Sequence, residues 1–230
     1  MGEVALITGL ARPLAALVGA ALLAFVSATA QAQTEFPPPS GKGRVVVVVS
    51  GSSGASNYEP PAQHIAQMGY DVILLDANDM KGSHGQALKT AIQQAQNSPH
   101  GLPGKVGVVG FSLGGGEALG FASHWPDMVA VLVAWYPDTA ILRDPATFAA
   151  GIEVPVLMFA GEQDTYKDCC LIDKARAIGS AASAAGTPLE LVTYPGAEHD
   201  FMLQGRHYDA EAASDSWQRA TAKLAQYLGH

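Results

Sequence analysis

Ser112 lies in the run Gly110-Phe111-Ser112-Leu113-Gly114-Gly115, a G-x-S-x-G pentapeptide extended by one glycine. Upstream, Lys105-Val106-Gly107-Val108-Val109 reads as a short apolar strand; downstream, Glu117-Ala118-Leu119-Gly120-Phe121-Ala122 reads as the first turns of a helix. A serine on a tight strand-to-helix turn needs small neighbours, because the turn is strained and the two backbones pass closely. That geometry lifts the hydroxyl out of the sheet and leaves the next backbone N–H, that of Leu113, free to meet an oxyanion. About one chain in fifteen of this length carries the bare pattern by accident. The strand-turn-helix context is what singles Ser112 out.

A serine hydroxyl is a weak nucleophile and needs a base, which in turn needs orienting. Asp164 stands in Gly161-Glu162-Gln163-Asp164, directly after an apolar strand that ends at Ala160. His199 stands in Tyr194-Pro195-Gly196-Ala197-Glu198-His199-Asp200-Phe201, directly after the last strand, with Gly196 letting the loop turn back over the sheet. Among the seven histidines, His64 and His84 fall on helical segments, His100 in a surface loop, His124 at a helix end and His230 at the terminus. His207, further along the same segment, is the rival. An isolated loop aspartate more often caps a helix, and an isolated loop histidine is more often polar surface. Ser, Asp and His in that order at the ends of three strands make the combination hard to reach by chance.

The first core strand, Arg44-Val45-Val46-Val47-Val48-Val49, runs into Ser50-Gly51-Ser52-Ser53-Gly54-Ala55-Ser56. Backbone N–H groups at Ser52 or Ser53 would join that of Leu113 as an oxyanion hole. No Gly-Lys-Ser/Thr follows, so a phosphate-cradling loop is discounted. Neither a His-x-x-x-His pair nor a carboxylate cluster is visible in the sequence, and no metal or other cofactor is expected.

These residues require a scaffold in which strands end on one edge. Strand patterns at 44–49, 71–75, 105–109, 128–135, 154–160 and 189–194 alternate with helical patterns at 61–68, 83–96, the segment after Ser112, 170–185 and 210–228. That alternation predicts right-handed βαβ crossovers and a mostly parallel sheet covered on both faces, with functional residues at the carboxyl ends of the strands. The all-valine stretch suits a strand buried on both faces. A single domain over 44–230 is expected, after a flexible lead-in at 33–43 that contains Pro37-Pro38-Pro39. Only Tyr136 to Glu153 separates two core strands, too little for a cap domain. An open, shallow site lined by Tyr58, Phe111, Tyr136 and Phe201 follows, with Tyr166 and Leu171 as further neighbours.

Residues 1–32 combine Arg12, an uncharged apolar run from Pro13 to Val26, and small residues ending at Ala32. This is the layout of a cleaved secretory signal, so a periplasmic or secreted protein is expected, without membrane attachment after cleavage. The formal net charge of −8 without basic runs gives no electrostatic footprint for nucleic acid or anionic lipid. Cys169 and Cys170 are the only cysteines and are adjacent. Free thiols, a vicinal disulfide and intermolecular pairing all remain open for an exported chain.

With these residues in place, the chain resembles a small α/β-hydrolase of the dienelactone hydrolase family. The resemblance runs from about Arg44 onward and is carried by the Ser112 run, the Asp164 loop and the Pro195-Gly196-Ala197-Glu198-His199-Asp200-Phe201 segment, the last being the more family-specific. It implies an α/β-hydrolase fold with Ser112 as nucleophile, His199 as general base then acid, and Asp164 as orienting carboxylate. Founding members of the family carry cysteine where this chain has Ser112. They also place a glutamate beside the oxyanion loop, absent here, and basic groups that hold an acidic lactone. Arg143 and Lys167 are the basic residues nearby. A serine esterase acting on a small-molecule ester is therefore expected, with an amide hydrolase or a non-catalytic binding protein of the same fold as alternatives.

Overall fold

The computed structural model describes residues 1–2 and 33–229. The expected signal segment thus falls almost wholly outside the described residues. Seven strands form one sheet: β1 (Gln33–Phe36), β2 (Gly43–Val49), β3 (Asp71–Leu75), β4 (Gly101–Phe111), β5 (Val129–Trp135), β6 (Val156–Gly161) and β7 (Leu189–Tyr194). Their order is β1-β3-β2-β4-β5-β6-β7, and every pair is parallel except β1 with β3. Among the described residues six α-helices accompany them: α1 (Glu59–Gln67), α2 (Gln86–Ala95), α3 (Ser112–Phe121), α4 (Pro145–Ala150), α5 (Ile172–Ala185) and α6 (Ala210–Leu228).

Alternation along β2 shows how the sheet is covered. Val45, Val47 and Val49 face one apolar layer with Leu88, Ala91 and Ile92 of α2, Leu119 of α3 and Ile178 of α5. Val46 and Val48 face the other layer, with Ala62 and Ile65 of α1 and Ala220, Leu224 and Leu228 of α6. A strand buried on both faces has no polar positions to spare, which is why its composition is uniform. Gly107 on β4 lets α6 come close: a Cβ there would stand 2.8 Å from Leu228 Cδ1.

Several boundaries differ from the sequence reading. Gln33–Phe36, expected to be part of a flexible lead-in, is an antiparallel edge strand in register with Val72–Leu75. Backbone pairing along an open sheet edge outweighs its polar composition. The helix expected from Ser83 begins at Gln86, while the Ser83 hydroxyl accepts the Ala87 amide at 3.3 Å. The helix expected from Cys170 begins at Ile172, because Cys169 and Cys170 form a disulfide that closes the turn before it. Between β5 and β6 lie only a single 3-10 turn at Thr139–Ile141 and the six-residue α4, so among the described residues no cap domain is inserted there. Among the described residues no helix is long and apolar enough to cross a membrane.

Candidate active site

Ser112 is the first residue of α3, directly after Phe111 ends β4, and its φ of 49° is left-handed. A non-glycine residue held there is strained, as expected of a side chain presented at a sharp turn. The glycines around it are fixed by space. A Cβ on Gly110 would lie 2.7 Å from Gly114 O, and one on Gly114 would overlap the Ser50 carbonyl oxygen. The Gly114 amide donates to that same carbonyl at 3.1 Å, and the Asp138 amide donates to Ser112 O at 2.8 Å. The turn is therefore clamped from β2 on one side and from the β5 loop on the other.

The acid and histidine loops are laced together in the same way. Gln163 N donates to Ala197 O at 3.0 Å and Glu162 N to Tyr194 O at 2.9 Å. Gly161 is obligatory at this crossing, since a Cβ would overlap Ala197 O. The result is a continuous chain of contacts. Ser112 Oγ stands 3.0 Å from His199 Nε2, and His199 Nδ1 stands 2.7 Å from Asp164 Oδ2. All three side chains are at most 5% exposed. With Asp164 ionised, the proton of the neutral imidazole sits on Nδ1, which leaves Nε2 as an acceptor for the serine hydroxyl. The other Asp164 oxygen accepts the Tyr166 amide at 3.0 Å and so cannot swing away.

The imidazole is also packed on its faces. Tyr166 stacks on it with ring centroids 4.5 Å apart and planes 9° apart, and Tyr136 meets it edge-on at 4.9 Å. Asp200, with a left-handed φ of 60°, places Oδ1 3.9 Å from Nε2. Burial pushes the Asp200 carboxyl up from its ordinary range, against the opposing pull of His199. The two sulfurs of the Cys169–Cys170 disulfide lie within 4.8 Å of a ring nitrogen of His199. The Cys169 carbonyl accepts the Ala140 amide at 2.9 Å, which anchors the loop that carries both Tyr166 and the disulfide.

The four aromatic residues expected to line an open site are instead buried. Tyr58, Phe111, Tyr136 and Phe201 are each at most 1% exposed. Phe111 stacks on Trp135 at 5.2 Å and turns its ring into the layer shared with α1 and α6, because the residue before a nucleophile turn points away from it. Phe201 packs on Tyr136 and Tyr194. These rings form the floor under the site, and Tyr166 and Leu171, each 39% exposed, stand nearer the surface. Burial raises the Tyr58 and Tyr136 hydroxyls well above their ordinary range, so both stay neutral phenols at working pH.

Of the expected oxyanion residues, Leu113 lies in the first turn of α3, where backbone N–H groups have no acceptor within the helix. Ser52 and Ser53 sit in the loop that follows β2, with their carbonyls tied to the side-chain amides of Asn78 at 3.2 Å and Asn57 at 3.0 Å. The buried Gly51 of this loop lies close to Ser112: a Cβ on it would stand 3.2 Å from Ser112 Cβ. Lys167 lies over the Tyr166 ring at 4.9 Å, whereas Arg143 borders a separate hollow beside α3 and α4. Sequence reasoning missed the Tyr166 stack and the proximity of Asp200, although each is within two residues of a residue it had singled out.

The chain is 30% identical over 213 residues to a carboxymethylenebutenolidase of Rhodococcus opacus, covering 82% of this chain and 83% of that one. It is 28% identical over 142 residues to the protein usf of Aquifex pyrophilus, a match that covers 61% of this chain and spans 59% of that relative's length. A candidate dienelactone hydrolase structure from Klebsiella pneumoniae superposes with a TM-score of 0.70 at 25% identity, covering 85% of this chain and 99% of that chain. The family model for dienelactone hydrolases matches residues 75–228, the stretch that runs from the end of β3 through all three linked side chains to the end of α6. On fold, linkage and match together, the chain belongs to the dienelactone hydrolase family of α/β hydrolases.

Proposed function

We propose that this hydrolase cleaves carboxylic esters of small molecules through an acyl-enzyme on Ser112. The observation that carries the reading is the unbroken hydrogen-bonded line from Ser112 Oγ through His199 to Asp164, at 3.0 and 2.7 Å. In the first step Ser112 Oγ bonds to the ester carbonyl carbon while its proton passes to His199 Nε2. The carbonyl π electrons move to oxygen, and the oxyanion is met by the Leu113 N–H and an N–H of the Ser52–Ser53 loop. Losing one such donor typically costs about 2.7–4 kcal/mol of transition-state stabilisation.

Collapse of the tetrahedral species breaks the bond to the alcohol oxygen, which takes the proton from His199. Water then repeats the sequence: His199 takes its proton, the hydroxide bonds to the acyl carbon, and Ser112 leaves reprotonated. Asp164 fixes the imidazole tautomer and stabilises the imidazolium without itself accepting the proton.

Turnover of p-nitrophenyl acetate and butyrate by the mature chain, beside Ser112→Ala, tests this reading. Activity in the parent and a loss of about 10⁴-fold or more in the variant is expected. A folded parent with no turnover, or a variant that retains it, overturns the assignment. p-Nitroacetanilide measured alongside separates ester from amide preference. We also infer that the chain works outside the cytoplasm, since an adjacent-cysteine disulfide is suited to an oxidising compartment.

A further inference from the structure

A groove of about 740 Å³ lies beside the site, between α1, the loop that follows His199, and α6. Two of its lining residues, Ser53 and Asp200, belong to the surroundings of the site already described. Ser53 follows β2 in the loop that approaches Ser112, and Asp200 stands 3.9 Å from His199 Nε2. The groove thus adjoins the site on the His199 side, and its volume is in the range of small-molecule sites.

Apolar side chains make up part of its wall. Pro60 and Pro61 supply one side from the first turn of α1, and Met202 and Leu203 supply another from the loop. Trp217 of α6 is half-buried and lines the groove. Its indole is held from two directions, stacked on the buried Trp135 at 5.8 Å and met edge-on by His64 at 4.6 Å. An aromatic wall fixed before anything binds has little ordering entropy left to lose, and a planar ring is the partner such a wall favours. Of the charged lining residues, Arg206 is solvent-exposed, His207 is paired with Glu198 at 2.9 Å, and Asp200 has its Oδ1 3.9 Å from His199 Nε2.

We propose that this groove holds one arm of the ester substrate, and that the arm carries an aromatic ring. The inference rests on the serine-esterase reading and narrows it: the natural substrates are aryl-bearing esters rather than aliphatic ones. The loop 200–208 and the exposed side of α6 then set specificity, whereas the linked Ser112, His199 and Asp164 supply the reaction.

The test is a pH-stat comparison of kcat/KM on ethyl acetate, ethyl 3-phenylpropanoate, 2-phenylethyl acetate and ethyl octanoate, all alkyl esters of similar intrinsic reactivity. At least one phenyl ester is expected to exceed both ethyl acetate and ethyl octanoate about tenfold. A preference for the phenylpropanoate places the acyl arm in the groove, and one for the phenylethyl ester places the alcohol arm there. Two variants accompany the parent. Ser214→Trp fills the groove from an exposed position on α6, and Trp217→Ala removes its aromatic wall. Each should cut the ratio of phenyl to ethyl acetate turnover about tenfold.

Because Trp217 also packs on Trp135, a lowered Tm in its variant would leave Ser214→Trp as the deciding one. Equal turnover of both phenyl-bearing esters and ethyl acetate, a preference for octanoate, or a ratio unmoved by Ser214→Trp overturns the proposal. Ser112-dependent hydrolysis of ethyl acetate without phenyl preference removes the groove assignment alone. A folded parent inactive on all four esters removes the esterase reading, and this assignment with it.

Discussion

The amide of Gly114 donates to the carbonyl of Ser50 across 3.1 Å, joining the first turn of α3 to the end of β2. This bond holds the nucleophile and the loop that faces it in one rigid unit. It requires glycine, because a methyl group at 114 would overlap Ser50 O and stand 2.7 Å from Val49 Cγ1. Gly114→Ala should therefore destabilise the fold by about 1–3 kcal/mol, the usual range for overpacking. It should also lower kcat beyond what the lost stability explains. Urea unfolding beside turnover checks both, and a variant as stable and active as the parent would refute the clamp.

Asp164→Asn should keep the fold, because an amide oxygen can still accept from Tyr166 N, yet lose about 10⁴ in kcat through the wrong imidazole tautomer. The check is kcat on p-nitrophenyl acetate together with Tm. A loss below tenfold would mean that Asp164 does not orient His199.

Tyr166 covers the imidazole face at 4.5 Å. Aromatic pairs of this kind contribute about 0.5–1.5 kcal/mol, so Tyr166→Ala should lower kcat roughly threefold to tenfold. Tyr166→Phe preserves the stack and should restore parental kcat. If the phenylalanine variant is as impaired as alanine, the hydroxyl rather than the ring is what matters.

At the other end of β3, Asp71 is fully buried and neither of its carboxylate oxygens makes a well-formed hydrogen bond. Burial, reinforced by the charge of Glu35 and opposed by Ser98 and His100, pushes its carboxyl up. A folded-state pKa above the unfolded one favours the fold at low pH and loses that contribution as pH rises through the folded value. Asp71→Asn never ionises. It should be more stable than the parent at neutral pH, by about 2–4 °C in Tm for each kcal/mol relieved, and the gap should close on acidification. Melting curves of both proteins from pH 4 to 8 decide it; a gap that widens toward pH 4 would reverse the sign argued here.

How far the fold was legible depended on what each segment buries. Strands at 71–75 and 189–194 and the helix at 210–228 coincide with the sequence reading, because their apolar spacing answers to a single covered face or pair of faces. Gln33–Phe36 was unreadable for the opposite reason: it joins the sheet by backbone pairing, which leaves no trace in side-chain pattern. The six residues of α4 are too few to show a helical period. Ser112, Asp164 and His199 could be singled out because each terminates a recognisable strand pattern. The directions of Tyr58, Phe111, Tyr136 and Phe201 could not, since nothing in the sequence of a strand end or turn says which way its rings turn. The sequence also left the Cys169–Cys170 pair open among three states.

That disulfide joins neighbours in the chain and lies against the ring of His199. Its presence makes the preparation itself a variable. A sample expressed in a reducing cytosol, or stored with a thiol such as dithiothreitol, carries two sulfhydryls where the oxidised chain carries a bridge, a change of two hydrogens that leaves mass, sequence and migration almost untouched. Rates from such a sample describe a different covalent species, so mass spectrometry with and without alkylation belongs ahead of any kinetic comparison between batches.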